Sequence, residues 1–383
     1  MGLSFYTLTV ARAWKRFDRL SVAELFASRY SPALGRLASV LLLLAMLGFG
    51  ATYVKSLGLL FGPFVPAVSQ AVVSGLLTLV VLAVALPGGL VTVVRSDVVG
   101  FVLTLALVPL MLGLGLWYGA GGAGLSGVFD ASQRTVDPVA QWTHPALPFR
   151  FVTTLMALTC VTYIAAPWYG QKIFAARDER TAFRAVAWSA VLVFALYAGL
   201  LLAASYLRVV QPDLVDPQTA MPVMMDVWLP MGVRGAGFAV LFAAALTTLA
   251  GVWTAMAAMV AADFGWTSAR HVHVQRVVIL TIAGLHWAGG VWLVDDILDR
   301  LILANIPVVA LSFALLAGFH WPRATARGAW VSVAVGVIWG VGSFVLVGEA
   351  GGYTWPWAMY GIPLIFASGV VVSLLDRSAC RAA

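Results

Sequence analysis

The sequence predicts an all-α integral membrane protein, a bundle of about ten spanning helices, from three observations. Of its 383 residues, 62% are hydrophobic and only 10% charged, whereas soluble domains carry about 25% charged residues. A soluble body of this size would leave much of that apolar surface in water, so the solvent is lipid. The apolar residues fall into ten stretches that each reach the ~20 residues a spanning helix needs. Lysine and arginine gather in alternate gaps between those stretches, as the positive-inside rule requires.

The elements follow in order. Met1 to Ala11 is too short to span and lacks the basic start of a secretory signal. Arg12, Lys15, Arg16, Arg19, Arg29 and Arg36 then make a basic segment. The spans are expected at 36–61, 66–94, 98–118, 150–174, 181–208, 235–263, 274–294, 300–319, 328–348 and 355–375. The gap at 119–149 is polar and Gly-rich and is expected outside; a short tail, 376–383, follows the last span. With the N-terminal segment in the cytoplasm, 17 of the 23 Lys and Arg fall inside and 5 outside. This places the C-terminus in the cytoplasm of a multi-pass protein of the inner (plasma) membrane. Lys55 is the one basic residue within a span; it lies ~28 Å along the helix from Arg36 and is expected to snorkel outward. The formal charge of +7 is dispersed between spans, so no nucleic-acid partner is expected. Cys160 and Cys380 do not pattern as a structural disulfide.

Four stretches carry chemistry. In FAAALTTLAG, Ala244, Thr247 and Thr248 fall at i, i+3 and i+4 and share one helix face. A hard monovalent cation such as sodium takes oxygen ligands, and two hydroxyls plus a carbonyl lone pair make half of such a site. The alternative is that each threonine simply bonds the carbonyl three or four residues back. In TYIAAPWYGQKIF, Pro167 and Gly170 interrupt a span near its inner end. A carbonyl freed there must be buried in protein or line a wet cavity. Tyr163, Trp168 and Tyr169 suit a solute that is part apolar and part polar, or else form an interfacial aromatic belt. In LPGGLVTVVRSDVVG, Gly88 and Gly89 allow a sharp bend and Asp97 starts the next span, where Arg95 is its nearest cation; a capping Asp is the alternative. His286 lies mid-span, as a packing histidine or a proton relay. A nucleotide loop, HExxH and a serine elbow are all missing, and no enzyme activity is expected.

Three of these motifs recur in order: PGGLVTVVRSDVV, PWYGQKIFAARDERTAFRA and RGAGFAVLFAAALTTLAGVWTAMAAMVAADF. With RFDRLSVAELFASRYSP near the start, they resemble the sodium:solute symporter family. The resemblance implies a leucine-transporter-like fold of two inverted five-helix repeats with sites at mid-membrane. It implies sodium as the coupling ion, on Ala244, Thr247 and Thr248 of the eighth core helix. It puts Asp97 near the cytoplasmic ion exit and Thr159, Thr162, Tyr163 and Trp168 on the solute side of the sixth core helix. Gly100 stands where the family has Gln, and Lys172 where it has Arg. Residues 1–35 match the cytoplasmic end of the second core helix and its basic loop, so the first core helix, which supplies the remaining sodium ligands, is expected to be missing. The implied function is sodium-coupled import of a small organic solute, neutral or zwitterionic, by alternating access. The alternatives are a solute-sensing membrane module or a non-functional fragment. Lipid is the expected surrounding; the pattern says nothing of oligomeric state.

Overall fold

The computed structural model describes residues 1–19, 21–119, 149–211, 213–264 and 271–376. Most of the expected 119–149 loop and all but the first residue of the expected tail lie outside the described residues. The described chain is helical: α1 (Gly2–Thr9), α2 (Ala11–Phe17), α3 (Glu24–Arg29), α4 (Pro32–Phe61), α5 (Gln70–Gly119), α6 (Phe149–Ala165), α7 (Pro167–Phe174), α8 (Glu179–Val210), α9 (Ala220–Trp228), α10 (Met231–Asp263), α11 (His271–Trp292), α12 (Ile297–Ala304), α13 (Ile306–Ala310), α14 (Ser312–His320) and α15 (Ala326–Val347), followed by α16 (Thr354–Leu375). Among the described residues, eight helices are long and apolar enough to cross a membrane, or up to ten if each of two bent pairs is one span.

Helix α5 accounts for two spans. It is helical over 50 residues, which straight would extend ~75 Å. Yet both of its ends pack beside the outer end of α4. Gln70 lies against Gly58, while Leu107 and Met111 share a cluster with Tyr206, Trp228, Leu60 and Phe61. The chain therefore turns back between Gln70–Pro87 and Asp97–Trp117, where the Gly88-Gly89 bend was expected.

The first bent pair is α6 and α7, which meet at 51° across Ala166. Pro167 offers no N–H to the Tyr163 carbonyl, which accepts from Ala166 at 3.4 Å instead, and beside the break the carbonyl of Ile164 accepts the Trp14 indole N–H at 3.0 Å. A freed backbone group in the bundle is thus paired inside the protein, as a dry interior demands. The second pair runs from Ile297–Ala310 to Ser312–His320 and bends by 41°. The sequence predicts one unbroken span; the bend falls at Leu311, while Asn305, whose amide donates to the Leu301 carbonyl at 2.8 Å, separates α12 from α13 upstream.

Polar ties fix the basic side of the bundle. Oδ2 of Asp263, at the end of α10, accepts from the hydroxyls of Ser21 (2.8 Å) and Ser39 (2.7 Å), which sets α10 against α4. At mid-bundle, Trp253 Nε1 donates to His286 Nδ1 at 2.8 Å, and both side chains are fully buried. His286 seats on Gly50, where a Cβ would come within 2.0 Å of its ring. It therefore packs α11 against α4, as a buried hydrogen-bonded histidine. Outward faces are apolar and bare: Phe194 is 74%, Leu201 69% and Leu346 87% exposed. Such surfaces require lipid around them.

Candidate ion and solute site

The site is built on the face of α10 that α4 and α9 leave uncovered. Thr247 Oγ1 donates to the Ala244 carbonyl at 3.2 Å and Thr248 Oγ1 donates to the same oxygen at 2.9 Å. These are the bonds to the carbonyl three and four residues back that the spacing left open as the alternative, and they bring three oxygens of one helical turn together. Thr247 is buried; Thr248 is half-buried and, with Ala244, lines a cavity of about 350 Å³. Tyr53 and Ser56 of α4, Leu241 of α10, Gln218 and Met221 beside α9, and Ile297 at the head of α12 complete much of its wall. No charged side chain lines it among the described residues.

Gln218 ties two parts of the cavity wall together. Its amide oxygen accepts the Ile297 N–H at 3.0 Å and its amide nitrogen donates to the Asp295 carbonyl at 3.4 Å. The short segment before α9 is so tied to the start of α12.

An aromatic group adjoins the oxygen cluster. Tyr53 lines the same cavity as Thr248, and its ring lies 4.9 Å from that of Phe49. Phe49, one turn earlier on α4, stacks on Trp168 with centroids 4.5 Å apart and planes 16° from parallel. Tyr163 stacks on Tyr169 at 5.1 Å, and Tyr53 and Tyr197 of α8 stand within electrostatic reach of Tyr169. The helix break at Ala166 is what turns Tyr163, on α6, and Trp168 and Tyr169, on α7, toward one centre.

The expected solute residues divide. Tyr163 and Trp168 belong to the aromatic group. Thr159 lies one turn before Tyr163 on the same face of α6; its hydroxyl is bonded to the Leu155 carbonyl and its methyl faces Gly2. Thr162 is buried, and its hydroxyl has no hydrogen-bond partner among the described residues. Asp97 lies toward the basic side. There it accepts from Lys172 Nζ at 2.6 Å, at the end of α7. This corrects the pairing with Arg95 that the sequence suggested: Arg95 is exposed, and the cation that the fold delivers comes from another helix. Lys55 lines a small cleft with Gln70, Ser74 and Gly290 near the opposite side.

Sequence reasoning missed Phe49, Tyr53, Tyr197 and Gln218. A signal existed for the first two, since i, i+4 aromatics with a polar tip in mid-span place a hydroxyl where lipid offers it no partner. Among the described residues no group of three or more His, Cys, Asp or Glu is placed to hold a metal. A site for an ion here must use neutral oxygens.

Comparison with known proteins places this geometry. A family model, the sodium:solute symporter family, matches residues 1–336. The sodium/pantothenate symporter of Escherichia coli (strain K12) is 26% identical over 341 residues, 84% of this chain and 68% of that protein. Among solved structures, a Na+-coupled sialic acid symporter in a substrate-bound outward-open state aligns with a TM-score of 0.79 at 18% identity, covering 98% of this chain and 83% of that one. This likeness is one of fold, and it is the leucine-transporter-like arrangement that the motifs implied.

Proposed function

The chain belongs to the sodium:solute symporter family, and we propose from that premise that it imports a small organic solute by alternating access, driven by sodium entering at Ala244, Thr247 and Thr248. The observation behind the ion assignment is that the Thr247 and Thr248 hydroxyls meet the Ala244 carbonyl at 3.2 and 2.9 Å, with Ala244 and Thr248 lining an uncharged cavity and Thr247 buried beside it. Both hydroxyls donate to the Ala244 carbonyl. Rotation about the C–O bond frees them, leaving the three oxygens in place as ligands for a cation. No member of the cluster titrates near neutrality, which favours sodium over a proton.

The solute sits against the planes of Phe49, Tyr163 and Trp168, with the hydroxyls of Tyr53 and Thr162 as polar contacts. None of these five side chains carries a formal charge, and a buried unpaired charge is costly. A neutral or zwitterionic solute is therefore favoured. On the basic side, taken as cytoplasmic in an inner (plasma) membrane, opening of the ion path separates Asp97 from Lys172. Each sodium ion entering down a 100 mV potential releases about 2.3 kcal/mol, enough for roughly 50-fold accumulation of a neutral solute.

The test is uptake by the protein reconstituted in vesicles under an inward sodium gradient, with a panel of neutral and zwitterionic solutes plus pantothenate and sialic acid. At least one should accumulate with sodium and not when potassium replaces it. Equal uptake in potassium would refute sodium coupling.

A further inference from the structure

The basic side holds a second cavity, of about 720 Å³, for which ion and solute transport have no use. Lys15 and Arg16 of α2 form one wall; Arg177, Asp178, Glu179, Arg180, Thr181 and Arg184, at the start of α8, form the other. Five cationic side chains face two carboxylates, and both carboxylates are already engaged. Glu179 accepts from Arg16 Nε at 2.8 Å. Asp178 accepts the Thr181 N–H at 2.7 Å and pairs with Arg177 at 3.3 Å. Lys15 is held by Asp18 and by the Phe174 carbonyl.

Arg180 and Arg184 are exposed and have no partner among the described residues. They stand four residues apart on one helix face, where like charges destabilise each other unless an anion lies between them. The same face of α8 continues into the bilayer through Trp188 (66% exposed), Val191 (58%) and Phe194 (74%). The stripe thus passes from guanidinium to indole to apolar side chains. This is the polarity profile of one phospholipid, from headgroup through interface to acyl chain. A soluble anion would use the first part of the stripe and leave the rest without a role.

We propose that this cavity binds the headgroup of an anionic phospholipid, its phosphate between Arg180 and Arg184 and a chain along Trp188, Val191 and Phe194. The bound lipid bridges α2 and α8, in parallel with the Arg16–Glu179 ion pair.

The experiment uses the full chain purified in mild detergent, with phosphatidylglycerol, phosphatidylcholine of the same chains, glycerol phosphate and inorganic phosphate as probes. Native mass spectrometry counts retained lipid, and thermal unfolding gives the lipid concentration for half-maximal stabilisation. Phosphatidylglycerol should be retained and stabilise where phosphatidylcholine does not. The double variant R180Q/R184Q should raise its half-maximal concentration about tenfold, while Arg323→Gln, exposed on the same side but outside the cavity, stays within about twofold of wild type. Glu179→Gln removes a competing carboxylate and should lower that concentration, a gain that a misfolded variant would not show. Equal response to both lipids, an unchanged R180Q/R184Q, or full stabilisation by inorganic phosphate would overturn the proposal, the last pointing to a soluble-anion site.

Discussion

Removing the Thr248 hydroxyl separates its proposed role as an ion ligand from its role in the helix. In the structure its Oγ1 donates to the Ala244 carbonyl at 2.9 Å, and Thr247 donates to the same oxygen. Thr248→Ala leaves that carbonyl with the Thr247 hydroxyl, and the lost side chain faces a cavity, so the fold should lose at most about 1 kcal/mol. The ion loses one of three ligands contributed by this face. A hydrogen-bond-strength contact to a charged group is worth about 1.5–3 kcal/mol, so sodium affinity should fall about 10- to 150-fold. Thr248→Ser keeps the oxygen and should stay within about threefold of wild type. The assay is thermal unfolding of the purified protein titrated with sodium chloride, with choline chloride holding ionic strength constant. Sodium stabilises the folded state by RT ln(1 + [Na+]/Kd), about 2.7 kcal/mol at one hundred times Kd. The concentration at which stabilisation sets in should move upward in Thr248→Ala alone. An unchanged sodium midpoint in that variant, or equal stabilisation of wild type by potassium, would refute the assignment.

Other expectations follow from the same geometry. Trp253→Phe leaves the buried His286 Nδ1 without its 2.8 Å donor and should cost about 1–3 kcal/mol, read as a lower melting temperature with the sodium midpoint unchanged. Phe49→Ala removes the ring stacked on Trp168 and should weaken solute binding by about 2- to 13-fold, the equivalent of the about 0.5–1.5 kcal/mol such a ring pair contributes, while sodium stabilisation persists; solute-dependent thermal shifts report both. Asp178 caps α8, and the Thr181 N–H beside it holds its carboxyl below the usual carboxylate range. A depressed folded value means that the cap's contribution is present at neutral pH and lost as pH falls through that value, below about pH 4. Hydrogen exchange at the Thr181 amide, corrected for its intrinsic rate, should accelerate only in that window; a constant protection factor would exclude the cap.

The spans were legible because each is a run of apolar residues too long for anything but a bilayer. The Pro167 break was legible as well, since proline removes a donor at a known place. The bend between α13 and α14 was not, because Leu311 stands in a run, Val308 to Leu316, as apolar as the rest of the span, and hydropathy passes over it. Ala244, Thr247 and Thr248 share a face by helical spacing alone, so their convergence follows from local sequence. What they face does not: Tyr53 and Gln218 reach the same cavity through the packing of α4 and α9, which no local pattern encodes. Asp97 makes the same point. Its nearest cation in sequence is Arg95, whereas the folded chain brings Lys172 from the end of α7 to 2.6 Å. Side chains paired within a helix can be read from spacing; those paired across helices need the fold.

The central claim, that the α10 oxygen cluster carries sodium, is met most directly by equilibrium binding of radiolabelled 22Na+ to the purified wild-type protein and to a Thr247→Ala/Thr248→Ala variant. Saturable binding that excess unlabelled sodium displaces and potassium does not, and that the double variant lacks, is the predicted result. Saturable binding of equal affinity in both proteins would contradict it.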